Sequence, residues 1–239
     1  MSKELHKQAV ERLEPFDVVI MFTWSNWATE PRSNRYHYAT RFAQRAPVLF
    51  VQSNKLDGDD SLIIEDSGSK NIDIVRLRQV ENDSESYDFL SLLKARGYKR
   101  PLLWIYNPLS YTKIIRALPN AVKVYHATED YFDSTGTLRF EKAEVTVALQ
   151  RLFPELDLVV AVSDGVAQSF KINGGFRGRM IVAENGCDAE YFLAEKARMA
   201  TAEINKDKRV AIFQGGINHR LDFLMLHRFC LLYTSDAAD

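Results

Sequence analysis

Cysteine is nearly absent from this chain: Cys187 and Cys230 are the only two in 239 residues. So few thiols, so far apart, exclude a disulfide framework and a thiolate zinc site. Charge of one sign is lacking too, since 31 basic and 32 acidic residues leave a formal net charge of -1. No global field selects for nucleic acid or an anionic membrane, so any anion site has to be local. Long hydrophobic runs are missing as well. The amino terminus, MSKELHKQAVERLEP, is charged throughout, and no later stretch approaches the ~18 apolar residues of a spanning helix, so the sequence reads as cytoplasmic. Neither G-x-G-x-x-G nor G-x-x-x-x-G-K-[ST] occurs after the first apolar run, which removes the main support for dinucleotide and P-loop readings.

What is present is an ordinary globular composition, 46% hydrophobic and 26% charged, with a repeated alternation of apolar runs and helical spacing. The runs are DVVIMF (17–22), PVLFVQ (47–52), NIDIVRL (71–77), PLLWIY (101–106), AVKVYHA (121–127), DLVVAVS (157–163), RMIVAE (179–184) and RVAIFQ (209–214). Near-continuous hydrophobicity in DVVIMF, PLLWIY and DLVVAV marks strands covered on both faces. The expected fold is therefore α/β, a doubly wound parallel sheet. Helices are expected at 34–45, 87–97, 109–118, 139–153, 164–172 and 219–228. The polar stretch 57–71 reads as a hairpin or exposed loop.

Organisation follows from the same pattern. Residues 1–194 are expected to form an amino-terminal Rossmann-like domain, 195–208 a linker, and 209–230 the first βα unit of an incomplete second domain. A lone βα unit cannot cover a parallel strand on both sides. The last nine residues, LLYTSDAAD, resemble an adapter read-through, and 231–239 are expected to be a non-native tail.

In open parallel sheets ligands gather beyond the carboxyl ends of the strands, which directs attention to four places. After the first run, Arg32 and Arg35 flank Ser33-Asn34 at a helix start, where free N–H groups favour an anion. Solvated arginines fit the same spacing. After the fifth run, YHATEDYFD gathers His126, Glu129, Asp130 and Asp133. Sugar transfer needs groups that activate an acceptor hydroxyl or hydrogen-bond the donor, and His126 with one carboxylate offers them. A packed histidine beside a wet turn is the alternative. With one histidine and no cysteine nearby, no metal site is expected. Ser163 opens a helix, either as a plain N-cap or as a ligand for the crevice. Finally Gly215 and Gly216, with Arg220 after them, would let backbone approach a diphosphate, although an ordinary turn fits equally.

The order of these features resembles a known family. DLVVAVSDGVAQSF followed by ENGCDAEYF is similar to retaining glycosyltransferases of the GT-B type, in which an Asn-Gly-x-Asp-x-x-x-Phe segment, here Asn185, Gly186, Asp188 and Phe192, precedes the nucleotide-sugar domain. AIFQGGINHRLD resembles the opening strand and turn of that domain. WIYNPLS and VKVYHATEDYF are similar to family 4-like and teichuronic-acid-type bacterial enzymes of cell-surface polysaccharide assembly.

The resemblance implies a hexosyltransferase that moves a sugar from a nucleoside-diphosphate sugar to a glycan or lipid-linked acceptor, with retention. It needs no cofactor or metal beyond that donor substrate, and no nucleic acid partner. Contact with the inner face of the membrane is compatible with it. His126 would act at the donor sugar, Arg32, Arg35, Glu129, Asp130 and Ser163 would hold acceptor or phosphate, and Gly215, Gly216 and Arg220 would meet the donor diphosphate. The family's acidic donor-gripping pair lies further along, so the fragment by itself is expected to be inactive. A sugar-nucleotide epimerase of the same architecture and a non-catalytic sugar-binding or partner subunit remain open.

Overall fold

A computed structural model of the chain describes residues 16–30, 32–52, 61–78, 84–133, 142–186, 189–199 and 222–228. Its strands are β1 (Val18–Thr23), β2 (Val48–Gln52), β3 (Leu62–Asp66), β4 (Ile72–Leu77), β5 (Pro101–Ile105), β6 (Val122–Ala127), β7 (Leu158–Ala161) and β8 (Met180–Val182). They form one eight-stranded sheet in the order β3-β4-β2-β1-β5-β6-β7-β8. All pairings are parallel except β3 with β4. The helices are α1 (Asn34–Phe42), α2 (Ser84–Ala95), α3 (Thr112–Ala117), α4 (Ala143–Leu152), α5 (Asp164–Ile172) and α6 (Ala189–Met199). This is the doubly wound α/β architecture expected from the pattern of runs.

The strands β1, β2 and β5 are buried along their whole length, as their unbroken apolar sequences require. From β1 the chain steps through α1 to β2, then returns across the sheet through α2 to β5 and continues outward to β8. Crossovers between parallel strands are right-handed, so the two directions of travel put their helices on opposite faces. Packing agrees. Ala39 of α1 joins Val19, Met21, Phe50 and Trp104 on one face. Phe89, Ile115, Leu149 and Phe170, from α2, α3, α4 and α5, join Val18, Ile20, Phe22 and Leu103 on the other.

The direction reverses between β1 and β5, and in open α/β sheets this is where the connections leaving the strands diverge and a crevice is expected at the carboxyl edge. At the opposite edge one carboxylate ties two strand starts together. Asp17 accepts hydrogen bonds from the Lys99 and Arg100 backbone N–H groups at 2.7 and 3.0 Å, fixing the starts of β1 and β5 together.

Of residues 57–71, read as a hairpin or loop, the described part from 61 onward supplies β3 and the turn of an antiparallel hairpin with β4, with Gly68 and Asn71 at positive φ. The strand expected at 209–214 lies outside the described residues. The chain divides into two compact units, Met1–Gly186 and Cys187–Asp239. The first carries the whole sheet. In the second, α6 and a helical stretch at 223–228 are described, and α6 runs through 195–199, the start of the stretch read as a linker.

Candidate functional site

Polar groups close the strand ends around the crevice. Thr23, the last residue of β1, donates its hydroxyl to the Val51 carbonyl at 3.2 Å. The backbone N–H groups of Tyr106 and Asn107 both reach the Phe22 carbonyl, at 2.8 and 3.1 Å. Asn107 then accepts from Leu109 and Ser110 through its side-chain oxygen and shapes the turn after β5. Trp24, one residue past β1, donates its indole N–H across the crevice floor to the Tyr106 carbonyl at 2.8 Å.

His126 stands on β6 at its carboxyl end. Strand alternation turns Lys123, Tyr125 and Ala127 to one face and Val124 and His126 to the other. The register pairs Trp104 with Val124, so two residues on, Tyr106 and His126 are neighbours. Their side chains meet: the Tyr106 hydroxyl lies 2.9 Å from His126 Nδ1. The imidazole is 1% exposed and boxed by Tyr38, Trp104 and Tyr106, with ring centroids 4.8, 5.3 and 5.1 Å away. Burial, and secondarily the Arg35 charge, pull its pKa from 6.5 to about 4. The ring is therefore neutral at pH 7, with one nitrogen a donor and the other an acceptor.

Tyr106 keeps its proton, because burial pushes its hydroxyl upward. Nδ1 is occupied, yet Nε2 is buried and has no hydrogen-bond partner among the described residues. The Trp104 indole N–H is in the same condition; it comes near enough to Tyr106 to influence that hydroxyl but lacks acceptable hydrogen-bond geometry. Unpaired buried polar atoms cost about 1–3 kcal/mol each, so two in one box mark a place shaped for something other than stability.

The loop between β1 and α1 holds the charged groups. Ser33 caps α1 by accepting from the Arg35 N–H at 3.4 Å and donates its hydroxyl to Glu30. Arg35 pairs with the same carboxylate at 3.2 Å and lies 5.8 Å from the Tyr106 ring centroid. Burial would raise the Glu30 carboxyl, but hydrogen bonds from Ser25 and Ser33 and the Arg35 charge outweigh it and hold Glu30 below its ordinary value. Arg35 thus enters the site as one member of an ion pair. Arg32 has φ 52°, a left-handed backbone costing a non-glycine residue about 1–2 kcal/mol. Its guanidinium sits 5.5 Å from the Tyr36 ring centroid, and Tyr36 in turn packs on Trp27.

The other described candidates make local turn and cap hydrogen bonds. Asp130 accepts from the Phe132 and Asp133 N–H groups at 3.0 Å, building the turn after β6, with Glu129 half-buried beside it in sequence. Ser163 caps α5, accepting from the Val166 N–H at 3.3 Å. Gly215, Gly216 and Arg220 lie outside the described residues. His126 and Arg35 thus converge through Tyr106, and Glu30, Tyr38 and Tyr106 join them unforeseen, while Arg32 lies over Tyr36. Tyr106 carried a readable signal: it ends the run PLLWIY as His126 nearly ends AVKVYHA. No group of three metal-binding side chains occurs among the described residues, and none of their helices is long and apolar enough to cross a membrane.

No protein-family model matches the chain, and no curated protein sequence matches it. Solved structures do. A sucrose-phosphate synthase from Thermosynechococcus elongatus is similar at a TM-score of 0.53 and 12% identity, over 77% of this chain and 52% of that one. A second structure of that synthase gives 0.48 and 12%, over 76% and 96%. A trehalose-6-phosphate structure from E. coli, bound with UDP-2-fluoro glucose, gives 0.47 and 12%, over 80% and 52%. The chain spans about half the length of the longer synthase structure. The likeness is one of fold: a mostly parallel α/β, Rossmann-like sheet shared with that synthase structure.

Proposed function

We propose that the chain is the acceptor-side part of a glycosyltransferase that moves a hexosyl group from a nucleoside-diphosphate sugar to a glycan or lipid-linked acceptor, with retention, in cell-surface polysaccharide assembly. The observation that carries this reading is the sealed imidazole of His126, held neutral at the carboxyl edge one strand from the switch point, with Nδ1 occupied and Nε2 unpaired. The neutral ring nitrogen Nε2 can hydrogen-bond a sugar hydroxyl once Tyr38 or Trp104, which cover the ring, shifts aside to admit it. At a pKa near 4 it is a weak general base at pH 7, so its role is positioning and polarisation. The fold shared with a sucrose-phosphate synthase supports a sugar-transfer assignment, although fold alone does not fix function.

On this reading Arg32 is the cation available to an anionic acceptor group, since Arg35 is paired to Glu30 and acts by holding Tyr106 and the loop. Gly215, Gly216 and Arg220 are assigned to the donor diphosphate, with Glu129, Asp130 and Ser163 at the rim. No resident metal is assigned, because arginine and helix N-termini can stabilise a leaving diphosphate. The site faces the cytoplasm, and a lipid-linked acceptor would bring it to the inner face of the membrane.

The test is an assay with labelled nucleoside-diphosphate sugars, with and without glycan acceptors, on a protein that carries this chain together with a donor-binding domain. Transfer supports the proposal; an epimerised donor without acceptor points to an epimerase, and sugar binding without turnover to a binding subunit. In the active protein, His126→Ala should lower kcat by roughly 10²- to 10⁴-fold while donor binding changes little. A lowered melting temperature with normal kcat would remove His126 from the site.

A further inference from the structure

The three tryptophans of the chain are placed very differently. Trp27 packs between Tyr36 and Phe50, with centroids at 5.3 and 5.1 Å. Trp104 is buried against Tyr38, Phe42 and His126. Trp24 is 39% exposed, and among the described residues no aromatic ring packs on either of its faces. It is not loose: its only polar atom is bound to the Tyr106 carbonyl at 2.8 Å. That bond runs from the end of β1 to the end of β5, so the indole lies over the switch point itself. The Tyr106 residue that anchors Trp24 through its carbonyl also holds His126 through its hydroxyl.

An indole held by this bond gives up part of its rotational freedom before any ligand arrives, and the exposed part of its ring is apolar area open to a ligand. Its π-face is electron-rich and favours partially positive C–H groups. A pyranose ring presents such C–H groups on one face and carries its hydroxyls around the rim, where they stay free to reach neighbouring polar groups. We propose that Trp24 is the stacking platform for a pyranose unit of the acceptor, and so a specificity-determining residue of the site. The inference rests on the acceptor-side reading above and adds the sugar class and the residue that recognises it.

The test uses the 239-residue chain with 15N-labelled tryptophan, in which the Trp24 indole N–H signal is identified by its loss in Trp24→Phe. Methyl α- and β-D-glucopyranoside, maltose and cellobiose are titrated as probes, with uridine monophosphate as a nucleobase probe. Glycosides are expected to shift the Trp24 signal, and Trp24→Ala to weaken their binding roughly tenfold while Trp24→Phe retains most of it. If glycosides move other signals and leave Trp24 still, the platform is wrong and the acceptor-side reading survives. A Trp24 shift with uridine monophosphate alone overturns the inference in favour of a base-binding site. If no glycoside moves any signal, both the platform and the acceptor-side reading fall. Should Trp24→Ala fail to fold, the wild-type shift and the Trp24→Phe affinity still decide.

Discussion

The two faces of the sheet are built from the same strands and differ in kind. The face under α2, α3, α4 and α5 is aliphatic and phenyl-rich, with Ile20, Phe22, Leu103, Ile115, Leu149 and Phe170 closely packed. The face under α1 gathers Tyr38, Phe42, Trp104, Tyr106 and His126, side chains with polar atoms that the packing does not fully satisfy. One face spends its interactions on stability. The other leaves the Trp104 indole N–H and His126 Nε2 without partners among the described residues, at some cost to stability.

The largest effect that should separate the faces is on stability. Phe22 is fully buried, 4.8 Å from the Tyr111 ring and 6.2 Å from Phe89. Phe22→Ala should cost roughly 3–5 kcal/mol in urea unfolding at pH 7. A cost below about 1 kcal/mol would show that this face is not the stabilising one.

A smaller effect should appear only on the aromatic face, and only with pH. The folded His126 pKa lies below its ordinary 6.5, at about 4. The unfolded chain therefore takes up the proton first, so stability present above pH 6.5 is lost as pH falls towards 4. The loss is on the order of 3 kcal/mol and should vanish in His126→Asn, which offers Tyr106 a hydrogen bond but does not titrate. Parallel stability–pH curves for the two proteins would place His126 in contact with water.

The smallest effect concerns a residue outside both faces. Ser163→Ala removes the α5 cap and should cost about 1 kcal/mol by the same unfolding assay. In an active protein it should leave KM for acceptor unchanged. A raised KM with unaltered stability would return Ser163 to the ligand.

The architecture was legible because buried parallel strands write themselves as apolar runs. DVVIMF, PLLWIY and DLVVAVS fall within about two residues of β1, β5 and β7, and α5 begins at the residue that Ser163 marks as its cap. The strand β3 was harder, since LIIED sits half-exposed at an edge inside a polar stretch. The site was legible as separate residues and illegible as an arrangement. Glu30 reads as a loop acid in ATEPRSNR; only the turn before α1 brings it under Ser33 and Arg35. Tyr106 and His126 meet because β5 and β6 pair with an offset of 20 residues, a register the runs imply only when aligned end to end. Which way Trp24 turns depends on a carbonyl 82 residues away, and no local pattern records that.

The central position of β1 has a consequence for how the protein is made. This strand is synthesised before its partner β5, which lies 83 residues downstream. At roughly 5–20 residues per second, a ribosome needs about 4 to 17 s to deliver β5 after β1 has been made. Until then Val18 to Phe22 can pair on one side at most, with β2, and the other edge of an almost wholly apolar strand stays open. Nascent chains stalled between β2 and β5 should therefore be strong clients for chaperones that bind extended hydrophobic segments, and that demand should fall once the Asp17 latch to Lys99 and Arg100 can close.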